Sequence, residues 1–100
     1  MAQRKISLLD KAIEEVAHVG YFIEAKGLPE TAKKFVDDAF IFFEKLSDTK
    51  IVHKPCTYYF WKEAGYRCAN FKKKFVVAYL DLGDEILICD FAIQKLLASK

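Results

Sequence analysis

Residues 65–93 read GYRCANFKKKFVVAYLDLGDEILICDFAI, and this stretch decides the fold. It holds three strand-like segments, 66–71, 75–80 and 85–93, separated by short turns rich in lysine, glycine and aspartate. Strands joined by connections this short pair antiparallel, so the stretch predicts a β-meander. The almost continuous apolar run over 75–80 predicts the strand in the middle of the sheet.

The residues before the meander predict two helices. Ser7 followed by Asp10 fits the start signal of a first helix, which runs to about Lys26, and Gly27 is a typical stop. A second helix begins at Pro29, because proline at the first helical position loses no intrahelical hydrogen bond. The two- or three-residue link between the helices predicts an antiparallel helical hairpin.

Apolar residues at spacings of three and four give each helix one face for the core. In the first helix they are Leu9, Ile13, Val16, Gly20 and Ile23, and in the second they are Ala32, Phe35, Val36, Ala39, Phe43 and Leu46. Residues 3–6 are a candidate first strand, and residues 58–61 are a candidate short strand. The sequence therefore predicts an α+β fold of order β-α-α-β-β-β, with an antiparallel sheet on the helical hairpin, as one domain over residues 1–100.

The positive charge is concentrated in one quarter of the chain. The formal net charge is only +2, but residues 50–74 hold seven basic residues against one acid. Residues 75–94 hold four acids and no lysine or arginine. A local field of this kind attracts anions. Three lysines at a hairpin turn can equally serve solvation and protection of a sheet edge.

The three cysteines, Cys56, Cys68 and Cys89, form no CxxC pair, so we expect no metal site. Nothing in the sequence points to a cofactor. Cys68 and Cys89 lie in strand-like segments and are expected to be buried, reduced thiols. No apolar run reaches membrane length and no signal peptide is evident, so we expect a cytoplasmic protein without a membrane contact.

The order of these segments resembles the RelE/ParE superfamily of bacterial type II toxin–antitoxin toxins. ISLLDKAIEEV (residues 6–16) is similar to the opening strand and first helix of the family, and GLPETAKKFVDDAFIFFEKLSD (27–48) is similar to its second helix. Residues 65–91 are similar to its closing meander, in which a Gly-x-Arg strand leads to a core strand. The resemblance covers most of the chain, as that of a divergent member.

The resemblance implies a toxin that is neutralised by a co-expressed antitoxin, an extended or helical segment of which wraps the toxin. It implies one of two targets. One is ribosome-bound messenger RNA, which a metal-independent endoribonuclease of this family cleaves. The other is DNA gyrase, which the second branch of the family poisons.

The resemblance also implies the site residues. Arg67 is the predicted catalytic residue, because RNA cleavage needs a cation against the charge that builds on the phosphorane. The predicted nucleic-acid contacts are Lys62, Arg67, Lys72, Lys73, Lys74 and Lys95. Tyr58, Tyr59, Trp61 and Tyr66 are candidates for stacking on splayed bases. Arg67 could instead form a structural pair with Glu63 or Asp90, and a loop histidine such as His53 is usually only solvated.

The chain also departs from the family pattern. Its last strand ends CDFAIQK (89–95), where RNA-cleaving members carry several basic residues, and Lys74 is the only cation near the start of the strand over 75–80. No clear acid–base pair is evident, so the sequence leaves open whether the protein is an enzyme. The alternative is a non-catalytic protein-interaction or nucleic-acid-binding domain that reuses the fold. Surplus apolar residues favour it, namely Phe40, Phe42, Phe91 and Ile93.

Overall fold

The computed structural model describes residues 4–48 and 53–95, and it confirms the predicted α+β class and order of elements. The elements are β1 (Lys5–Leu8), α1 (Asp10–Ala25), α2 (Pro29–Lys45), α3 (Tyr59–Glu63), β2 (Arg67–Phe71), β3 (Phe75–Asp81) and β4 (Glu85–Ile93). The short helix α3 is additional to the predicted order. Residue 3 of the predicted first strand lies outside the described residues.

The hairpin of α1 and α2 turns at the residues that the sequence indicated. Gly27 has a φ of 85°, in the left-handed region where glycine meets no steric cost, and its N–H donates to the Glu24 carbonyl at 2.9 Å. Pro29 is the first residue of α2. At Gly20, an added Cβ would lie 3.0 Å from Cγ2 of Val36, so glycine allows the close approach of the two helices.

The predicted cap of α1 by Ser7 is wrong. The helix begins at Asp10 after Leu9, and no side chain caps it. The Ser7 hydroxyl instead donates to the Glu85 carboxylate, because Ser7 lies in β1 beside β4. A hydroxyl in a strand is held by its cross-strand neighbour and cannot reach the helical amides.

The four strands form one sheet in the order β1-β4-β3-β2. The last three form the predicted antiparallel meander, and β1 pairs in parallel with β4. As predicted, β3 is in the interior of the sheet. The register shifts between Ala78, which faces Asp90, and Tyr79, which faces Ile88, so that Cys89 is the extra residue of a bulge.

The helices α1 and α2 cover one face of the sheet, which we call the inner face. Its buried cluster contains Ala12, Val16, Phe35, Ala39, Phe43, Leu46, Ala69, Phe71, Val77, Tyr79, Ile86, Ile88 and Phe91. The predicted stripe of α2 is confirmed, whereas Leu9 and Ile13 of the α1 stripe are 42% and 39% exposed. Phe91 was expected to be surplus surface, but it is 1% exposed because it packs among four other phenylalanine rings.

Residues 53–66, which we call the flap, cover part of the opposite face, the outer face of the sheet. Cys56 and Trp61 of the flap are buried there against Val76 and Ala78. The predicted strand over 58–61 is therefore wrong. These aromatic residues favour strands by propensity, but packing of Trp61 on the sheet decides their conformation and α3 forms instead.

Candidate functional site

Three of the predicted cationic contacts come together at one end of the strands of the sheet. Lys73 and Lys74 lie in the β2–β3 turn, and Lys95 follows the end of β4. They line an open pocket of about 520 Å³ together with Ile93 and Gln94. We call this the lysine pocket. The Gln94 N–H donates to the Lys74 carbonyl at 2.8 Å, which holds the two strand ends together.

The lysine pocket carries three positive charges that no described carboxylate pairs with. Within residues 4–48 and 53–95, no carboxylate forms an ion pair with Lys73, Lys74 or Lys95. Each ammonium group offers three N–H donors to an anion. Three such groups around one pocket can bind phosphate oxygens as point charges.

Lys72 does not share this pocket, although it belongs to the same turn. Its ammonium donates to Asp38 of α2 at 2.9 Å and lies 5.5 Å from the centre of the Phe71 ring. Hydrogen bonds from Lys72 and then Lys34 lower the pKa of the Asp38 carboxyl. Lys72 therefore ties the turn to α2.

The turn holds its lysines in an unusual backbone conformation. Lys72 and Lys73 have φ values of 52° and 67°, which side-chain-bearing residues adopt at a cost. Phe71 and Phe75 pair on either side of the turn, so three residues must reverse the chain. Left-handed dihedrals permit this reversal.

Arg67 lies at the other end of β2 from the lysine pocket. It pairs with Tyr79, and the five residue steps from Arg67 to Lys72 span roughly 16 Å. Its Nη1 donates to the His53 carbonyl at 2.6 Å. The alternative pairing with Asp90 is not seen, because the Asp90 carboxylate accepts instead from Lys11 at 3.5 Å. Arg67 is therefore separated from the lysines with which it was grouped as a predicted nucleic-acid contact.

Arg67 belongs to a second polar cluster that sequence reasoning missed. His53 Nδ1 and the Tyr79 hydroxyl are hydrogen-bonded at 2.8 Å. Burial, followed by the nearby Arg67 charge, lowers the pKa of His53, and burial raises the pKa of Tyr79. Asp81 lies in the same region and accepts from Arg4 at 2.7 Å, which lowers the pKa of Asp81. No local signal marks Tyr79, which sits in an apolar strand.

Lys62 lies on α3, away from the residues that line the lysine pocket. Of the predicted stacking residues, only Tyr59 is fully exposed, at 68%, and Trp61 is buried. Phe60, which the sequence analysis passed over, is 78% exposed and contacts the Tyr59 ring edge-on. The exposed aromatic pair is therefore Tyr59 and Phe60.

The expectation of a reduced thiol is wrong for Cys68. Cys68 of β2 forms a disulfide with Cys56 of the flap. Folding brings them together across an antiparallel contact that their spacing did not indicate. Cys89 is a buried free thiol, as expected, and burial raises its pKa.

Two apolar grooves flank α1. One, of about 340 Å³, lies between α1 and α2 and includes Tyr21 and Phe40 in its lining. The other, of about 440 Å³, lies between α1 and the sheet and includes Phe22 and Ile93. Tyr21 and Phe22 are 66% and 61% exposed, so α1 presents large apolar side chains at the rim of both grooves.

The described parts of the chain lack a metal-binding cluster and a membrane-spanning helix. No three His, Cys, Asp or Glu side chains there lie together in a way that could hold a metal ion. None of the described helices combines the length and apolar character that a membrane span needs.

Comparison with known proteins gives a structural match. No family model matches the sequence, and no curated protein matches it. The structure is similar to a chain of the chromosomal ParDE TA system from P. aeruginosa, with a TM-score of 0.75 and 18% sequence identity. The match covers 91% of this chain and 96% of that chain.

A match of this extent at low identity establishes the fold. It extends over nearly the whole of both chains. The chain therefore has the RelE/ParE-like α+β fold that its sequence predicted.

Proposed function

We propose that this protein is the toxin-like component of a bacterial type II toxin–antitoxin system, neutralised by a cognate antitoxin. The ParDE-like fold supports the proposal. The single observation that carries it is the lysine pocket, in which Lys73, Lys74 and Lys95 converge without an ion-pairing carboxylate among the described residues. A fold of this type with an unneutralised cationic pocket suits binding to the phosphates of a nucleic acid or of a nucleic-acid-bound target.

An antitoxin has a suitable surface on the two grooves beside α1. The grooves are lined mainly by apolar side chains, and Tyr21 and Phe22 stand exposed between them. An amphipathic partner segment that covers them would remove apolar surface from water. In our proposal this partner stabilises the protein and blocks its activity.

The lysine pocket supports binding better than cleavage. Cleavage of RNA by its own 2′-hydroxyl needs groups that take and give a proton. The lining side chains are lysine, isoleucine and glutamine, and the predicted catalytic Arg67 lies at the far end of β2. We therefore propose a toxin that acts by binding. DNA gyrase and ribosome-bound messenger RNA are its two candidate targets, and endoribonuclease activity through Arg67 is the less supported mode.

Controlled expression in a bacterial host tests the proposal. We expect growth arrest that co-expression of the small protein encoded beside the gene relieves. The Lys74→Ala/Lys95→Ala variant should lose the arrest, whereas Lys5→Ala/Lys45→Ala, which removes the same charge elsewhere on the surface, should keep it. Broken DNA would indicate gyrase, and truncated transcripts would indicate messenger RNA.

Two outcomes would contradict the proposal. Normal growth at a protein level that can be detected would remove the toxin role. Arrest that persists in the Lys74→Ala/Lys95→Ala variant would remove the lysine pocket from it. Arg67→Ala in the same assay tests the predicted catalytic role separately, because Arg67 lies outside the pocket.

The exposed pair of Tyr59 and Phe60 favours a second candidate, a non-catalytic interaction or nucleic-acid-binding domain on the same fold. Aromatic rings beside Lys62 on a short helix suit contact with single-stranded nucleic acid or with a protein. Binding of a labelled single-stranded RNA at two salt concentrations separates these partners. A contact dominated by phosphates weakens steeply with salt, whereas an apolar protein contact does not.

The cytoplasmic location also stays part of this proposal. It conflicts with the Cys56–Cys68 disulfide, because disulfides are rare where glutathione and thioredoxin keep thiols reduced. The conflict resolves if the disulfide is not permanent.

A further inference from the structure

Besides the disulfide, hydrogen bonds attach the flap to the sheet. His53, at the start of the flap, bonds to the Tyr79 hydroxyl and accepts from Arg67 through its carbonyl, and further contacts follow at the edge of β2. Pro55 and Arg67 form a single antiparallel bridge. On either side of it, the Cys56 N–H donates to the Tyr66 carbonyl at 2.9 Å, and the Cys68 N–H donates to the Lys54 carbonyl at 3.2 Å. These contacts cover the outer edge of β2, which would otherwise present unpaired backbone groups.

The packing of the flap on the outer face is also limited. The buried cluster there contains two flap residues, Cys56 and Trp61, and two sheet residues, Val76 and Ala78, and the flap adds only the partly buried Tyr58 and Tyr66 to it. The exposed Tyr59 and Phe60 contribute nothing to it. A segment with so little burial is held weakly by apolar contacts alone, so a covalent link between flap and β2 has a large share in keeping it in place.

The two cysteines of the link differ in burial. Cys56 is 2% exposed, whereas Cys68 is only half-buried on the edge strand. An attacking thiolate therefore reaches the Cys68 sulfur first. The Cys56 sulfur is the leaving group.

We propose that the Cys56–Cys68 disulfide is a reversible latch, a site of thiol–disulfide exchange that decides whether the flap stays on the outer face. One thiolate of a dithiol reductant bonds to Cys68 Sγ, the disulfide breaks, and Cys56 Sγ leaves with the electron pair and takes up a proton. The second thiolate of the reductant then attacks its own partner sulfur and releases Cys68 as a thiol. Two electrons pass to the protein and the reductant becomes a cyclic disulfide.

Opening the latch has a defined structural consequence. Val76 and Ala78, each 0% exposed, lose their cover, and the backbone groups of Tyr66 and Cys68 lose their partners. Val76 is two residues along the chain from Lys74, which lines the lysine pocket. The redox state thus controls an apolar surface on the outer face and a free strand edge at the Arg67 end of β2.

Hydrogen exchange and thiol counting test the latch on the full chain. Oxidised protein, once denatured, should show one thiol, that of Cys89, and protein treated with dithiothreitol should show three. In the native state, dithiothreitol should speed exchange of the Cys56 and Cys68 amides by roughly tenfold or more beyond any change in the amides of α2, whose exchange follows global unfolding. The Cys56→Ser/Cys68→Ser variant should already exchange fast at these positions, with no further response to dithiothreitol.

Three results would overturn the inference. Equal exchange with and without dithiothreitol, after complete reduction, would mean that the flap needs no latch. Three free thiols in protein purified without reductant would mean that the bond does not form. An equal loss of protection in α2 would mean that the disulfide holds the whole fold and not the flap.

Discussion

The two faces of the sheet are stabilised in different ways. On the inner face, α1 and α2 build a cluster of thirteen buried residues among those described, including a group of packed phenylalanine rings. On the outer face, the flap builds a cluster of four buried residues and adds a disulfide. The comparison teaches that burial suffices where helices cover the sheet, and that a covalent link takes over where a short segment covers it.

The largest effect should come from the inner face. Phe91→Ala removes a ring that contacts Phe35, Phe43, Phe71 and Phe75. We expect the free energy of unfolding in urea to fall by about 3–5 kcal/mol, because the cavity cannot close against surrounding rings. The milder Phe91→Leu serves if the alanine variant does not fold. A loss below about 1 kcal/mol would show that the inner face is not the main core.

The outer face should depend on its disulfide. Cys56→Ser/Cys68→Ser opens a loop with a sequence separation of 12 residues, and we expect a loss of up to about 3 kcal/mol in urea unfolding. The natural chain in dithiothreitol should match the variant, and dithiothreitol should not change the variant further. An unchanged urea midpoint, in the variant and in the reduced natural chain, would contradict the contrast between the two faces.

The β2–β3 turn belongs to neither face, so a substitution there should change stability by less than the loss of either face. Lys73→Gly should stabilise the fold by up to about 1 kcal/mol, because Lys73 holds a φ of 67° that glycine adopts freely. Lys74→Gly is the matched control, since its φ is not positive, and it should destabilise by about 0.5–1 kcal/mol. Equal effects in thermal unfolding would contradict the strained turn.

The smallest effect should be a pH dependence at the start of the flap. The folded state lowers the pKa of His53, so the unfolded chain binds a proton at higher pH than the folded chain does. The neutral His53 ring therefore contributes its full stabilisation of the fold above the ordinary pKa of histidine, near 6.5. This contribution is lost as the pH falls below that value. His53→Gln should flatten the melting temperature between pH 8 and pH 5. His18→Gln, at an exposed position on α1, should not.

The elements that sequence analysis predicted well carry local signals. By their backbone preferences, Gly27 marks the end of α1 and Pro29 marks the start of α2. The spacing of apolar residues marks the buried face of α2. The meander follows from short turns between apolar runs. These signals act over a few residues, so they can be read without knowledge of the tertiary structure.

What the sequence did not predict depends on contacts between distant segments. The parallel pairing of β1 with β4, the Cys56–Cys68 disulfide and the bond between His53 and Tyr79 all join residues that the chain separates widely. For the same reason, the sequence predicted only part of the candidate site. Lys73 and Lys74 stand together in one turn, whereas Arg67 is close in sequence but lies at the opposite end of its strand.

The parallel pair of β1 and β4 has a consequence for how the chain folds. Lys5 aligns with Glu85, so β1 cannot pair until β4 has been synthesised. Since β4 lies between β1 and β3, the sheet is also incomplete until then. During synthesis the helical hairpin emerges with its apolar stripe and no complete sheet to receive it. The nascent chain therefore exposes the most apolar surface just before residue 85 is synthesised. A chaperone or a partner protein would bind it most readily in that interval.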